Sequence, residues 1–452
     1  MPDESRPAFV PEWSTCKAKG CIGAVVRDRA CLAHLGDKLD DYLRGLRPGD
    51  DVDARGAVIS GRLVRLLLGA AAQDGLVRGE DGFVRGAVRF EHAEIIGDVF
   101  IDNFVFGGHT SFEHARFGGQ ARFATVEFRE MAFFTDATFA GTVRFDDVRA
   151  DALQLVNARF EKRAWIGPLT AKAVNLAGVR CAAMMEVDVR VRALTCTLAR
   201  FEEGVLVRAD GGAVSAEQAR FGAPSLIAGS GELPRLRSLR ATDVSNLEVA
   251  DVDLRWCEFA GAHRLDQLRL AGRCPFGRPP RGWRTRRRTI AEEAAWREWP
   301  TDRPDNWSLE SVDPERMANV YRSLRKAFED SKNEPGAGDF YYGEMEMRRH
   351  SAETPRAERW ILAVYWLLSG YGQRAARAIA ALVVVIAVVG VLLAMWGQPP
   401  DDAVRIAVGA VVLREPGAKL TEAGQWTVMV ARVLGPVLLA MAVLAVRARV
   451  KR

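Results

Sequence analysis

The chain has 452 residues, and its 63 Lys and Arg against 58 Asp and Glu give a formal net charge of +5 at pH 7. This small net charge does not by itself select a nucleic acid or any other partner. Seven cysteines are too few for a disulfide framework in a chain of this length. The six histidines are scattered, and no HExxH, GxSxG or GxxxxGK motif occurs, so we expect no enzymatic activity.

The first candidate site along the chain is a group of cysteines with one histidine, in which Cys16-x4-Cys21 is followed by Cys31-x2-His34. Four such ligands could hold one tetrahedral zinc ion, and a site closed by four protein ligands is structural. The alternative is three ordinary thiols and one histidine in a small lobe, because the spacing is looser than in a paired CxxC motif. We expect residues 1–36 to form this lobe.

Residues 37–80 are predicted to form a helical cap. A polar helix is expected at 37–45, and a second helix near 62–72 is expected to bury Leu63, Leu66, Leu67 and Leu68. We expect the second helix to cover the open end of the repeat that follows, since an uncovered strand edge is free to pair with other chains.

The next segment is a phenylalanine repeat. Two interleaved 11-residue ladders run through Phe106, Phe117, Phe128 and Phe139 and through Phe112, Phe123, Phe134 and Phe145. Most of these rings have a small or apolar residue two positions earlier, the inward-facing period of an extended chain, and the next ring follows after a turn. Four such sides close a coil of 22 residues, which predicts a solenoid with stacked interior columns. A β-sandwich would instead need turn signals every 8 to 12 residues or so.

The same pattern continues with weaker spelling to about residue 260, which predicts about eight coils over residues 81–262. A solenoid interior filled with Phe, Ala and Val offers no cleft for a substrate. Its outer faces are therefore the expected contact surface for a protein partner that the sequence does not identify.

Residues 263–312 are predicted to be a basic, proline-rich linker. Its positive charge is concentrated at Arg284, Arg286, Arg287 and Arg288, which we expect to face anionic membrane lipids. A solvated linker is the alternative. Nucleic acid is not the expected partner, because the basic stretch is short and no folded DNA-reading motif accompanies it.

Residues 313–374 are predicted to be a helical connector that begins at the N-cap Asp313, with Pro314 in the first turn. One apolar stripe on its first helix is expected to pack on a partner: Met317, Val320, Tyr321, Leu324 and Phe328. Aromatic residues before the first span are expected to anchor it at the membrane interface, with a core position as the alternative: Trp360, Tyr365, Trp366 and Tyr371.

Residues 375–452 are predicted to contain two transmembrane helices, at about 378–396 and 426–446, joined by a loop at 397–425. The second span contains Arg432, which must snorkel, face a partner or line a wet path. Gly435 and Pro436 would loosen the helix near its middle. We expect these three residues to take part in helix association, and the spans to form a homo-oligomer.

Charge at the ends of the spans predicts their orientation. Basic residues precede the first span and follow the second, so both termini are expected in the cytoplasm. The opening sequence MPDESRPAFV has no apolar signal region, which predicts that the N-terminal part is not exported.

The coils resemble the pentapeptide-repeat family, whose unit is a small residue, a polar residue, a central Phe or Leu and two polar residues. Together with Cys31-Leu-Ala-His34, YRSLRKAFEDSKNEP, FYYGEMEMRR and WLLSGYG, they make nearly the whole chain similar to actinobacterial membrane pentapeptide-repeat proteins. The resemblance implies a right-handed quadrilateral β-helix in a two-pass protein of the bacterial plasma membrane. It also implies a C-terminal module similar to the two-helix pore of potassium-type channels.

The function expected from these features is that of a membrane-anchored scaffold. An ion channel regulated by the cytosolic rod is the first alternative, but residues 397–425 lack the TVGYG-like turn of a potassium filter. A DNA-mimicking protein that binds gyrase is the second. Residues 81–260 carry only a slight acidic excess, which is small for imitating duplex DNA.

Overall fold

The computed structural model describes residues 9–73, 82–280, 286–300, 307, 309, 311–415 and 420–450. The chain divides into two compact units. The first comprises Met1–Pro280 and Ile290–Leu309, and the second comprises Arg281–Thr289 and Glu310–Arg452.

The first unit is built mainly of short strands, most of them two to five residues long. In chain order they are β1 Val52–Asp53, β2 Val58–Ser60, β3 Gly82–Val84, β4 Val88–Arg89, β5 Glu94–Ile96, β6 Val99–Asp102, β7 Phe104–Phe106, β8 Thr110–Ser111, β9 Arg116–Phe117, β10 Ala121–Ala124, β11 Glu127–Phe133, β12 Thr138–Phe139, β13 Val143–Asp146, β14 Val148–Gln154, β15 Arg159–Phe160, β16 Ala164–Asn175, β17 Arg180–Cys181, β18 Met185–Thr195, β19 Arg200–Phe201, β20 Val205–Ala209, β21 Ala213–Ser215, β22 Arg220–Phe221, β23 Ser225–Gly229, β24 Arg235–Ser238, β25 Leu247–Ala250 and β26 Arg269–Ala271. The α-helices of this unit are α1 Leu39–Gly45, α2 Gly61–Ala71 and α3 Ala291–Trp296.

These strands form a β-solenoid of about nine turns, in which every ladder between named strands is parallel. The pairing begins where Val52 lies opposite Val88 and continues to Ala271 opposite Ala250. The solenoid therefore starts before residue 81 and ends after residue 262, and it has about nine turns rather than about eight. Its first turn was missed because α2 interrupts the repeat between β2 and β3.

The interior follows the predicted 22-residue period in the phenylalanine segment. Phe106 lies opposite Phe128, and Phe123 lies opposite Phe145. Four pairs of rings stack, with centroid distances of 5.0, 5.0, 4.6 and 4.8 Å for Phe106–Phe128, Phe112–Phe134, Phe117–Phe139 and Phe123–Phe145. All eight rings are buried. Stacked rings of this kind add to the stabilisation that their buried area provides.

Helix α2 lies in the first turn, between β2 and β3, and contacts β6. A Cβ at Gly61 would lie 2.0 Å from the carbonyl oxygen of Asp98, so α2 starts directly against the chain leading into β6. The side chains that α2 buries are Val64, Leu67, Leu68 and Ala71, while Leu66 is exposed. The predicted buried face was therefore wrong at Leu66, because the spacing of three and four residues places the inner stripe on the other side.

The second unit contains the remaining helices: α4 Pro314–Asp330, α5 Glu334–His350, α6 Arg356–Ser369, α7 Ala375–Met395, α8 Pro400–Val411 and α9 Glu422–Val450. Helix α4 begins directly after Asp313, and all five residues of its predicted apolar stripe are buried. Its partner is α5. Glycine makes the approach close, since a Cβ at Gly343 would lie 2.5 Å from the Tyr321 ring.

The basic cluster is partly inside this unit. Arg287 is buried, its guanidinium lies 5.4 Å from the ring centroids of Tyr321 and Tyr342, and it donates a hydrogen bond of 3.1 Å to the Tyr321 hydroxyl. Arg288 lies over Phe328. The predicted lipid-facing role is therefore wrong for Arg287, because aromatic rings replace its hydration. Arg286 is exposed, and Arg284 lies outside the described residues.

The aromatic residues before the first span divide between core and surface. Tyr371 is fully buried and donates a hydrogen bond of 3.1 Å to Glu346 Oε2, and Trp366 Nε1 donates one of 2.9 Å to the Tyr342 hydroxyl. Tyr365 packs on the same cluster. Trp360 is 73% exposed, so it is the one of the four predicted anchors that remains available to a membrane interface.

Candidate metal centre and membrane module

The cluster of Cys16, Cys21, Cys31 and His34 is assembled locally. The backbone N–H of Cys16 donates to the carbonyl of Gly23, and an antiparallel bridge joins Thr15 to Ala24, which folds the first two cysteines into one loop. A 3₁₀ turn at Leu32–His34 begins directly after Cys31 and points His34 back towards the thiols.

The four ligand atoms lie within 4.8 Å of one another. The Cys21 and Cys31 Sγ atoms are 3.7 Å apart, and His34 Nδ1 lies 3.5 Å from Cys16 Sγ and 3.3 Å from Cys31 Sγ. Zinc–sulfur bonds of about 2.3 Å and zinc–nitrogen bonds of about 2.0 Å place neighbouring ligands of a tetrahedron roughly 3.5 to 3.8 Å apart. The spacing therefore fits a metal ion at the centre of the cluster.

Gly23 leaves room for this arrangement. A Cβ at that position would lie 2.7 Å from Cys31 Cβ and 2.8 Å from Cys31 Sγ. The N–H of Gly23 also donates a hydrogen bond of 3.3 Å to Cys21 Sγ, an interaction that favours the thiolate form of a ligand. The sequence singled out the four ligands but not this glycine.

The thiols differ in acidity when no ion is present. Burial opposes ionisation of Cys16, but hydrogen bonds from the backbone at Ala18 and Cys31 outweigh it and lower the pKa of the Cys16 thiol to about 7. Burial, followed by the neighbouring Cys21, raises the pKa of Cys31 to about 12. A bound dication would hold all three sulfurs as thiolates, so metal binding releases protons here.

Two helices in the second unit are long and apolar enough to cross a membrane, namely α7 and the part of α9 from Glu422 to Val443. Their mean hydropathies are 3.1 and 1.9, and only 22% and 28% of the respective windows are buried. Valines such as Val383, Val384, Val433 and Val437 are more than half exposed. A helix in the core of a water-soluble protein would bury most of these side chains.

Helix α8 packs against both of these helices, and this short helix was expected only as an apolar stretch of a loop. Its small residues Ala403, Ala407 and Ala410 join Val389 and Leu393 of α7 and Val428 and Ala431 of α9 in one buried cluster. Small residues allow helix backbones to approach closely, as they do between helices in lipid.

The three residues singled out in the second span lie where α9 meets α8 or close to it. Arg432 donates a hydrogen bond of 3.0 Å from Nη2 to the carbonyl of Arg414, just beyond the C-terminus of α8. Gly435 permits contact, because a Cβ there would lie 2.7 Å from Val411 Cα. Pro436 lies inside α9. The contacts of Arg432 and Gly435 are therefore within the chain.

Sequence reasoning missed a buried carboxylate in the first unit. Glu292 of α3 accepts hydrogen bonds of 2.6 and 2.8 Å from the backbone N–H groups of Phe259 and Ala260, in one of the last turns of the solenoid. Burial raises the pKa of Glu292 to about 7. Nothing in the local sequence AEEAAW distinguishes it from Glu293, because its partners lie more than thirty residues earlier.

Comparison with family models, with curated proteins and with solved structures finds no match to this chain. The fold and the candidate sites therefore rest on the residues and their geometry.

Proposed function

We propose that the protein is a membrane-anchored scaffold, in which α7 and α9 hold a β-solenoid at the bacterial plasma membrane and the solenoid presents its outer faces to a protein partner. The observation that carries this proposal is the apolar surface that α7 and α9 leave uncovered. Lipid would cover that surface at no cost in exposed backbone groups, since a helix satisfies its own hydrogen bonds.

In this proposal the solenoid is a right-handed, four-sided pentapeptide-repeat β-helix. The four stacked phenylalanine columns and the step of 20 to 22 residues between paired strands support the four sides. The right hand is the one that parallel crossover connections strongly prefer. A small residue, a polar residue and a buried Phe recur at Ala115–Phe117, Ala199–Phe201 and Ala219–Phe221, which supports the family.

We further propose that Cys16, Cys21, Cys31 and His34 bind one structural zinc ion. The set of three sulfurs and one imidazole favours zinc over the harder cations, which prefer oxygen. All four ligands come from the protein, so no coordination position is left for a substrate. The ion would pin the lobe that precedes the first turn of the solenoid.

Two passes place both ends of the module on one side of the bilayer, and the basic residues at its flanks favour the cytoplasm for that side. The uncovered faces of α7 and α9 also leave room for a second copy, so we propose a homo-oligomer through these helices.

A pore is the second candidate function, and the observation that favours it is α8. A short helix packed between two apolar helices is the arrangement of a two-span pore module. Residues 397–425 nevertheless contain no glycine-rich turn that could supply a ring of backbone carbonyls, so selective conduction of potassium has no filter.

Flux measurements separate the two functions. We expect full-length protein in lipid vesicles to give no ion-selective current, and the Arg432→Ala variant to be equally silent. A reproducible selective current that disappears when the chain is ended at Gln373 would replace the scaffold with a pore. Insertion of each protein is checked in the same vesicles by resistance to extraction with alkaline carbonate.

A further inference from the structure

One face of the solenoid carries a row of arginines in consecutive turns, which we name the arginine row: Arg116, Arg159, Arg180, Arg200 and Arg220. Strand pairing places Arg159 opposite Arg180, Arg180 opposite Arg200 and Arg200 opposite Arg220. Thr138 occupies the turn between Arg116 and Arg159. Paired strands lie about 4.8 Å apart, so the five guanidinium groups follow one line across six turns.

The fold forces these side chains outwards. Each arginine stands between a small or apolar residue and a Phe or Cys that are both buried, as at Ala199 and Phe201 around Arg200, and all five arginines are exposed. Within the described part of the chain, none of the five has a carboxylate at ion-pair distance or another side-chain partner.

Arginines on other faces of the same solenoid are neutralised. Arg144 pairs with Asp146 at 3.1 Å, Arg163 with Glu186 at 2.6 Å and Arg190 with Asp210 at 2.6 Å. Like charges directly opposite in a ladder destabilise it. The arginine row therefore departs from the pattern of the rest of the solenoid at a cost in stability, and such a departure is expected where a surface binds something.

The surface beside the row is low and nearly flat. The residue two positions after each arginine or Thr138 is small in four of the six turns, namely Gly118, Ala140, Ala182 and Gly222, and it is glutamate at Glu161 and Glu202. At the end of the row, Arg200 and Arg220 line an open groove of about 470 Å³ together with His263. Phosphate groups could thus reach the guanidinium groups along the row and enter the groove at its end.

We propose that the arginine row binds the phosphate headgroups of an anionic lipid bilayer. This proposal rests on the membrane anchoring proposed above, because α7 and α9 bring the solenoid within reach of a bilayer. Lipids diffuse laterally and can adopt any spacing, whereas a covalent polymer must match about 4.8 Å per turn. An extended acidic peptide repeats its side chains on one face about every 6.7 Å, and duplex DNA places phosphates of one strand about every 3.4 Å.

Single-stranded nucleic acid is disfavoured by composition. Proteins that bind it without sequence preference offer aromatic side chains on which bases stack. The residues of the row and those two positions after them include no aromatic side chain. The guanidinium fork recognises a phosphate by itself, and this is the chemistry that a lipid headgroup requires.

The test measures binding in trans with the full chain in nanodiscs of neutral phosphatidylcholine. These are mixed with separate vesicles that contain either phosphatidylcholine alone or phosphatidylcholine with phosphatidylglycerol, and bound protein is followed by flotation. We expect the wild type to bind only the phosphatidylglycerol vesicles, and binding to weaken with salt. The variant R159Q/R180Q/R200Q/R220Q should bind at least tenfold more weakly, since each arginine near an anionic surface contributes up to about fivefold.

Two further variants make the test specific. The variant R122Q/R144Q/R163Q/R190Q removes the same charge from faces where arginines are ion-paired, and it should change binding less than threefold. Lysine at the four positions of the row keeps the charge and should retain binding within threefold. All variants are checked for folding by circular dichroism.

Three results would overturn the proposal. The first is unchanged vesicle binding by the glutamine variant of the row. The second is an equal loss in the variant of ion-paired arginines, which would make the effect one of net charge alone. The third is tighter binding of RNA or duplex DNA through the same arginines. Failure of α7 and α9 to insert is scored separately when the nanodiscs are assembled, so it is not confused with these results.

Discussion

At the scale of single residues, the ligand cluster near the N-terminus could be identified from the sequence because its members are close in the chain. Cys31 and His34 are three residues apart, and a single 3₁₀ turn brings them together. Gly23 could not be identified in this way, because its role depends on the distance from its backbone to Cys31 Sγ in the folded loop.

The metal centre gives the first prediction. Full-length protein should contain one equivalent of zinc by elemental analysis, and Cys31→Ser should remove nearly all of it because three ligands hold the ion far more weakly than four. Cys274→Ser is the matched control, since Cys274 lies outside the cluster. A zinc content that is equally low in the wild type and in Cys31→Ser would contradict the assignment.

Glu292 gives a prediction about pH. Its pKa is raised from an ordinary 4.5 to about 7 by burial, so the stabilisation linked to its protonated form is complete below about pH 4.5 and is lost as the pH rises through about 7. Glu258, which is half-buried, has a pKa that is raised by burial as well and acts in the same direction.

The free energy of unfolding of the wild type should therefore fall between pH 5 and pH 8 in denaturant titrations. Glu292→Gln should reduce this fall, because its amide oxygen still accepts from Phe259 and Ala260 without a buried charge. The exposed Glu203→Gln serves as control and should keep the wild-type dependence on pH. An identical pH profile for Glu292→Gln and the wild type would show that the carboxylate is not the cause.

At the scale of elements, the phenylalanine columns could be predicted because every coil repeats the same side chain at the same step. The contacts of Arg287 could not, since Tyr321 and Tyr342 lie on two different helices more than thirty residues away. Packing between helices that are remote in sequence has no period, and α8 was hidden for the same reason. The charge row on the solenoid lay in plain view as a repeated Ala-Arg-Phe, but its register appears only when the strands are paired.

The columns predict a large difference between two phenylalanines on neighbouring positions of one ladder. Phe123 is fully buried and stacks on Phe145, whereas Phe100, opposite Arg122, is partly exposed. Phe123→Ala should lower the free energy of unfolding by about 3 to 5 kcal/mol, and the control Phe100→Ala by less than about 1 kcal/mol. Chemical denaturation followed by circular dichroism measures both. Equal losses would mean that the column is not the core.

The contact between α8 and α9 predicts an unusual response to alanine. Alanine is the better helix former by about 1 kcal/mol, so Gly409→Ala, whose Cβ meets nothing closer than 3.6 Å, should be neutral or stabilising. Gly435→Ala should destabilise by about 1 to 3 kcal/mol, because its Cβ would lie 2.7 Å from Val411 Cα. Thermal melting in nanodiscs, read by near-ultraviolet circular dichroism, compares the two. Stabilisation of both variants would show that the helices do not approach closely here.

At the scale of the whole molecule, the two units have different surfaces. The outer side chains of the solenoid are largely polar and charged, whereas α7 and α9 expose valine, leucine and isoleucine over lengths that fit a bilayer. A molecule with both kinds of surface is best satisfied when one unit lies in lipid and the other in water. The scaffold proposal follows from this division together with the filled interior of the solenoid, which offers its outer faces for binding.

The measurement that tests this account most directly is alkaline carbonate extraction of membranes from cells that express the full chain. We expect the wild type to remain in the membrane pellet and a chain ended at Gln373 to be released. Val384→Glu with Val388→Glu should also be released, while alanine at the same two exposed positions should remain. Release of the wild type into the soluble fraction would contradict the account, because α7 and α9 would then not span a membrane.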